Sequence, residues 1–330
     1  MSSSNEVLIH AINVKKWFPL RRGLLQSLFS KRREYIRAVD GVSLDIRKGE
    51  ILGLAGESGC GKTTTGKLLL RLIEPTDGNI YFKGRDILSF NRRELKEFRK
   101  SAQIIYQDPY QSLDPRMTIF DFVAEPLLIH KIGDVEERVY SALERVELTP
   151  PEDFFDRFPH ELSGGQRQRV AIARAMILNP EFIVADEPVS MLDVSIRSAI
   201  LKLMLKLRDE LNISYLYITH DLATAKQICD RLAIMYLGKI VEQSDVNVVL
   251  KTPMHPYTKA LIKAIPIPDP TARKSKAIIL GEVPSPVNIP SGCRFHPRCP
   301  YVMDVCRRVE PNLIDVGGGH LVACHLIDRK

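Results

Sequence analysis

Five apolar residues in a row, Ile51-Leu52-Gly53-Leu54-Ala55, read as a strand buried on both faces. Behind them Lys67-Leu68-Leu69-Leu70-Arg71-Leu72-Ile73 has helical spacing, and Pro75 stops it. Upstream, residues 6–18 alternate loosely as a first strand and 38–46 predict a second. The turn Arg47-Lys48-Gly49-Glu50 leads into the apolar run. Further on, 79–83 read as a short strand and 101–108 as a buried strand entering a loop with Pro109 and Pro115. Apolar residues at Val135, Val139, Leu143 and Val146 predict a helix over 134–148. The whole region from 92 to about 160 reads as mainly helical, an inserted subdomain. Strands return at 182–185 and 214–219, separated by an amphipathic helix over 194–211. A helix at 221–230 and strands at 232–236 and 239–243 complete an α/β unit.

Beyond residue 250 the pattern changes. Prolines at 253, 256, 266, 268, 270, 284, 286 and 290 imply stiff, extended connections, interrupted by a short helix over 256–264. The expected division is thus a domain over 1–250, with the helical insertion at about 92–180, and a small extension over 251–330. Residues 21–33 are basic at both ends and apolar between. They fit either an amphipathic helix at anionic lipid or a solvated insertion between strands.

Placed on these elements, the polar residues acquire a chemistry. Gly56-Glu57-Ser58-Gly59-Cys60-Gly61-Lys62-Thr63-Thr64 follows a strand and opens a helix, and reads G-x-x-x-x-G-K-T. Glycines let such a loop aim backbone N–H groups at phosphate oxygens, Lys62 reaches the β- and γ-phosphates, and the Thr63 hydroxyl sits on Mg²⁺. This predicts nucleoside triphosphate binding. The strand at 182–185 ends in Asp186 and Glu187, one carboxylate to hold Mg²⁺ and one to activate water. Leu162-Ser163-Gly164-Gly165-Gln166 opens a helix over 167–178, a second anion site without a lysine of its own. Gln107 follows a strand and is a candidate sensor of the γ-phosphate or Mg²⁺. His220, in Thr219-His220-Asp221, follows the strand after the carboxylates.

Composition limits the setting. The chain has 330 residues, 45% of them hydrophobic and 26% charged, enough for a full core. No apolar stretch approaches bilayer length, and Met1-Ser2-Ser3-Ser4-Asn5-Glu6 lacks a signal-peptide profile. A cytosolic protein, or one held at a membrane through a partner, is expected. The net charge of +7 suits an anionic surface or plain solubility equally. Of six cysteines, four (Cys293, Cys299, Cys306 and Cys324) lie in the last forty residues, separated by five, six and seventeen residues. In a reducing compartment such a group reads as metal binding, either tetrahedral zinc or an iron–sulfur cluster.

The order phosphate loop, glutamine, L-S-G-G-Q, paired acids, S-x-L-D, histidine resembles the ATP-binding subunits of ABC transporters, over about residues 6–250. The resemblance implies an α/β P-loop ATPase fold (an ABC cassette) with a helical insertion, working as a head-to-tail dimer. Ser163, Gly164, Gly165 and Gln166 would then serve the partner's ATP. Glu187 would be the general base, His220 the link between γ-phosphate and water, and Thr63, Gln107 and Asp186 the Mg²⁺ contacts. Asp193 would belong to the D-loop, in which Met191 stands where alanine is usual. Phe18 or Tyr35 would stack on adenine. Two further stretches, His255-Pro256-Tyr257-Thr258-Lys259-Ala260-Leu261 and Cys293-Arg294-Phe295-His296-Pro297-Arg298-Cys299-Pro300, are similar to the ATPases of oligopeptide and dipeptide importers. So is the run from Gln107 to Pro115. That subfamily implies a heterodimer with a second homologous ATPase, two membrane permeases and an extracellular binding protein, with this chain peripheral on the cytoplasmic face. It favours a four-iron, four-sulfur cluster at the cysteines over zinc. Nickel or oligosaccharide import belongs to the same resemblance. A soluble ABC ATPase on ribosomes or nucleic acid is the rival. It usually carries two cassettes or long coiled-coil arms, and here there is one phosphate loop and no sustained heptad pattern, so no nucleic-acid partner is expected.

Overall fold

The computed structural model describes residues 6–20, 34–108, 113–264, 282 and 284–327. The basic segment at 21–33 and residues 109–112 of the proline-containing loop lie outside the described residues. The chain divides into two compact units. One comprises residues up to Leu8 with Ile46–Ile51 and Ser89–Ile218; the other comprises Ile9–Asp45, Leu52–Leu88 and the chain from Thr219 onward.

The first unit is built on parallel strands. Ala102–Ile105 pairs with Phe182–Asp186, which pairs with Ser214–Thr219, in the register Ile104↔Val184↔Leu216. Phe182, Ile183, Val184 and Ala185 are fully buried, as a parallel strand covered on both faces requires. Helices Ile119–His130, Val135–Arg145 and Gly164–Met176 pack on one another and form the helical insertion. Val139 and Leu143 are buried, so the apolar spacing does mark the inward face of the middle helix. Arg174 ties two of these helices, its guanidinium 4.4 Å from the Phe122 ring and bonded to Glu125. The helix Val194–Leu211 has the bounds the pattern predicts.

In the second unit the strand Ile51–Ala55 pairs in parallel with Arg231–Tyr236, which turns back into Lys239–Asp245. Leu321–Val322, from the extension, adds antiparallel to Lys239–Asp245, and Ile314–Asp315 adds beyond it. Gly53 permits close packing here: a Cβ would lie 2.8 Å from both Cys229 Sγ and Leu232 Cδ1. A separate antiparallel sheet runs Tyr35–Arg47, Val7–Pro19, Asp77–Phe82, Arg85–Asp86.

The phosphate-loop helix departs from the sequence expectation. It spans Lys62–Leu69, earlier than the apolar spacing over 67–73 suggests. Gly61, at φ 109°, turns the chain so that the helix starts at once, and Arg71 leaves it in a left-handed conformation at φ 45° before Pro75 is reached.

The extension is tied to the cassette strand by one buried carboxylate. Glu242 accepts the N–H of Met254 at 2.8 Å, the N–H of His255 at 2.9 Å and His320 Nε2 at 2.8 Å. His255 then starts the helix Pro256–Lys263, accepting the Tyr257 N–H on Nδ1 at 3.0 Å. Burial, with Lys259 nearby, holds the His255 pKa down at about 3, so the ring is neutral and keeps that acceptor. Among the described residues, no helix is long and apolar enough to cross a membrane.

Candidate active site

In the second unit the phosphate loop is folded around its lysine. Lys62 is buried and its Nζ donates to the carbonyls of Gly56 at 2.8 Å and Glu57 at 3.0 Å. Ser58, Gly59 and Thr63 are exposed, so the loop tip and the Thr63 side chain lie at the surface. Thr65 Oγ1 donates to Gly61 O at 3.0 Å and secures the first helical turn. Burial pushes the Cys60 thiol up against the opposing influence of Lys62, which marks it as a packed side chain and not a reactive one. A helix N-terminus with exposed backbone and a lysine turned into the loop suits a polyphosphate.

In the first unit Asp186 ends its strand nearly buried. Glu187 follows in a left-handed conformation at φ 47°, its N–H donated to Ile218 O at 2.9 Å. A non-glycine residue in that region is strained, and here the turn that aims the carboxylate is closed by Ser190, whose N–H and Oγ both donate to Glu187 O. Gln107 Nε2 donates to Glu187 Oε2 at 3.1 Å. Two residues that the sequence marks separately, eighty positions apart, thus meet.

The L-S-G-G-Q segment forms a reciprocal cap. Ser163 Oγ accepts the Gln166 N–H at 3.3 Å, and Gln166 Oε1 accepts the Ser163 N–H at 2.9 Å. The helix therefore starts at Gly164, three residues before the expected start. Gly165 allows close packing here, since a Cβ would sit 2.9 Å from Ile196 Cγ2 and push it aside. Arg197 donates to Leu192 O at 2.7 Å and Ser190 O at 3.3 Å, fixing the turn ahead of Asp193. Asp193 starts the next helix without a side-chain cap bond and is exposed, beside Met191 at 66% and Val194 at 77% exposure. His220 is exposed at the end of its strand, and Asp221 caps the following helix by accepting the Ala223 N–H at 2.8 Å.

The adenine-stacking candidates differ in setting. Phe18 is exposed, with Lys16 Nζ 5.1 Å from its ring centroid. Tyr35 is half-buried and packs on Trp17, ring centroids 6.3 Å apart. Trp17, which the sequence reading passes over, donates Nε1–H to Asp40 at 2.8 Å and lies under the Arg37 guanidinium at 4.7 Å.

The four extension cysteines lie within electrostatic range of one another, none in a disulfide. Backbone groups of Phe295, Tyr301 and Leu326 hydrogen-bond the sulfurs of Cys293, Cys299 and Cys324. Burial, then the neighbouring thiols, push Cys293 up to about 12 against the Phe295 backbone bond. Among the described residues, no group of three or more His, Cys, Asp or Glu side chains is arranged to hold a metal ion. The expected iron–sulfur or zinc centre thus has neighbouring thiols but no closed ligand set in this structure.

Residues 39–190 match the family described as ABC transporter, and residues 241–306 match "Oligopeptide/dipeptide transporter, C-terminal region". The oligopeptide transport ATP-binding protein AppF of Bacillus subtilis (strain 168) is 44% identical over 331 residues, covering 98% of this chain and 99% of that protein. The chain belongs to the ABC transporter family. This ABC ATPase is also 45% identical to the dipeptide transport ATP-binding protein DppF of Haemophilus influenzae, over 98% of each chain. Among solved structures it resembles the dimeric, ADP- and phosphate-bound ATP-binding cassette MJ0796, with a TM-score of 0.61 and 29% identity, covering 72% of this chain and 98% of that one.

Proposed function

We propose that this ABC ATPase powers the import of oligopeptides or dipeptides, as a peripheral subunit on the cytoplasmic face of the membrane. The observation that carries the reading is near-full-length similarity to proteins named for oligopeptide and dipeptide transport, joined to the C-terminal-region match. On this reading the phosphate loop binds the ATP phosphates through backbone N–H groups and Lys62. Thr63, Gln107 and Asp186 hold Mg²⁺, which neutralises charge on the phosphates when bound. Glu187 takes a proton from the attacking water, and Gln107 orients that carboxylate. His220 links water and γ-phosphate, and adenine stacks on Phe18 or Tyr35.

Each ATP is completed by Ser163, Gly164, Gly165 and Gln166 of a second ATPase subunit, placed head to tail. The exposed Ser163 and Asp193 and the exposed apolar Met191 and Val194 support such a surface. The full assembly adds two membrane permeases and an extracellular binding protein. The isolated chain is expected to hydrolyse ATP slowly, with a specific activity that rises with protein concentration and with added partner ATPase. Full activity in a preparation that sediments as a monomer would refute the composite site.

The four thiols are proposed to take a thiolate-bound centre, iron–sulfur ahead of zinc, with a structural role in the extension. Their mutual proximity and the backbone bonds to three sulfurs support this, and closing the set requires the thiols to draw together. Anaerobic purification is expected to give a coloured protein containing iron and acid-labile sulfide. One bound zinc in a colourless protein overturns the cluster, and a folded metal-free extension overturns both.

A further inference from the structure

Glu57 is an anion in a loop built to receive anions. It occupies the position directly after Gly56, where an uncompensated carboxylate would repel the phosphates that the loop is to hold. The structure supplies its counter-charge from far along the chain. Arg298 donates through Nη1 to Glu57 Oε2 at 2.8 Å and through Nη2 to Glu57 Oε1 at 3.0 Å, a two-bond fork. The backbone of the same residue is held as well. The Glu57 N–H donates to Tyr257 Oη at 2.9 Å, and its carbonyl accepts from Lys62 Nζ at 3.0 Å and the Cys60 N–H at 3.3 Å. Both remote partners, Tyr257 and Arg298, belong to the C-terminal extension.

Their surroundings make the contact a rigid one. The Arg298 side chain is 7% exposed, its guanidinium 5.8 Å from the Tyr236 ring centroid and 6.0 Å from that of Phe295. Tyr257 is fully buried, 4.6 Å from Tyr236 and 5.4 Å from Phe295 between ring centroids. An aromatic wall therefore fixes one charged fork against the loop.

We propose that Arg298 and Tyr257 are positioning residues for ATP: they act through Glu57, neutralising it and setting the phosphate loop from the extension. The inference rests on the reading that this loop is the ATP site, and the test separates the two. Binding of Mg²⁺ with a non-hydrolysable ATP analogue is measured on the full chain, with thermal unfolding of every variant alongside.

Arg298→Ala is expected to weaken binding about 10–100-fold, because the half-buried Glu57 carboxylate is left in the phosphate loop without its partner. In a Glu57→Gln background the same Arg298→Ala change is expected to lose only about two- to threefold, since the repelling charge is gone. Arg298→Lys keeps the charge and loses the fork, and Tyr257→Phe removes one acceptor; each is expected to lose several-fold. Should Arg298→Ala fail to fold, Arg298→Lys and its coupling to Glu57→Gln decide, while Tyr257→Phe, which loses a bond to the Glu57 backbone N–H, is expected to lose equally in both backgrounds. Equal losses from an Arg298 change in both Glu57 backgrounds, or wild-type affinity in Arg298→Ala, Arg298→Lys and Tyr257→Phe alike, overturn the proposal. Lys62→Ala is the control. If it abolishes binding while the Arg298 variants bind normally, only the proposal falls; if it binds normally too, the ATP-site reading falls with it.

Discussion

Glu187→Gln is expected to leave ATP bound and to lower its hydrolysis about 10²–10⁴-fold, the loss typical of removing a positioned general base. The amide matches the carboxylate in shape and still accepts a hydrogen bond, so the contact with Gln107 at 3.1 Å survives in form. What disappears is the capacity to take a proton. The left-handed backbone at Glu187, φ 47°, is held by the bonds from Ser190 and to Ile218 and does not depend on the side chain's charge. Nucleotide binding and thermal stability are therefore expected to stay near wild type. Single-turnover hydrolysis in the presence of the partner ATPase is the measurement, and a wild-type rate would place the base elsewhere.

Gly61→Ala is expected to destroy the phosphate loop. A Cβ at this position would stand 2.1 Å from the Ala38 carbonyl oxygen and 2.9 Å from Met235 Cε, with the backbone at φ 109°. Backbone strain and a clash with main chain add to about 3–5 kcal/mol, which the fold relieves only by moving the loop. Thermal unfolding should show the loss, and binding of the ATP analogue should vanish with it. Gly59→Ala is the informative contrast. That position also has positive φ, 78°, yet a Cβ there meets nothing within 4 Å, so about 1–2 kcal/mol of strain is the whole expected penalty. Equal effects at the two glycines would contradict the steric account.

The buried strands could be read from the sequence because parallel strands covered on both faces have no polar positions to confuse the pattern. Ile51–Ala55 and Phe182–Asp186 are the clearest cases. Helix starts were harder. At Lys62 and Gly164 the helix is opened by loop and cap geometry that apolar spacing does not record. Gln107 and Glu187 could each be named from local context, and their hydrogen bond is a tertiary fact that needed the strand pairing of Ala102–Ile105 with Phe182–Asp186. The hold of the extension on the loop was not legible as a contact, although both of its stretches stand out as motifs. One signal was available: a carboxylate in a phosphate loop calls for a cation, and the loop's own lysine, Lys62, is the one the motif assigns to phosphate. Trp17 escaped because its neighbour Phe18 drew the aromatic role by position, while the indole's partner, Asp40, is twenty-three residues away.

Arg298 and Glu57 are 241 residues apart in the chain. Ribosomes add about 5–20 residues per second, so the loop waits roughly ten to fifty seconds for its clamp during synthesis. Through that interval the nascent cassette carries Glu57 without its counter-charge, a poor host for nucleotide. Translation that stops early leaves the protein in the same condition. If Arg298 sets the loop as proposed, a chain has to be made through residue 298 before its phosphate loop is complete.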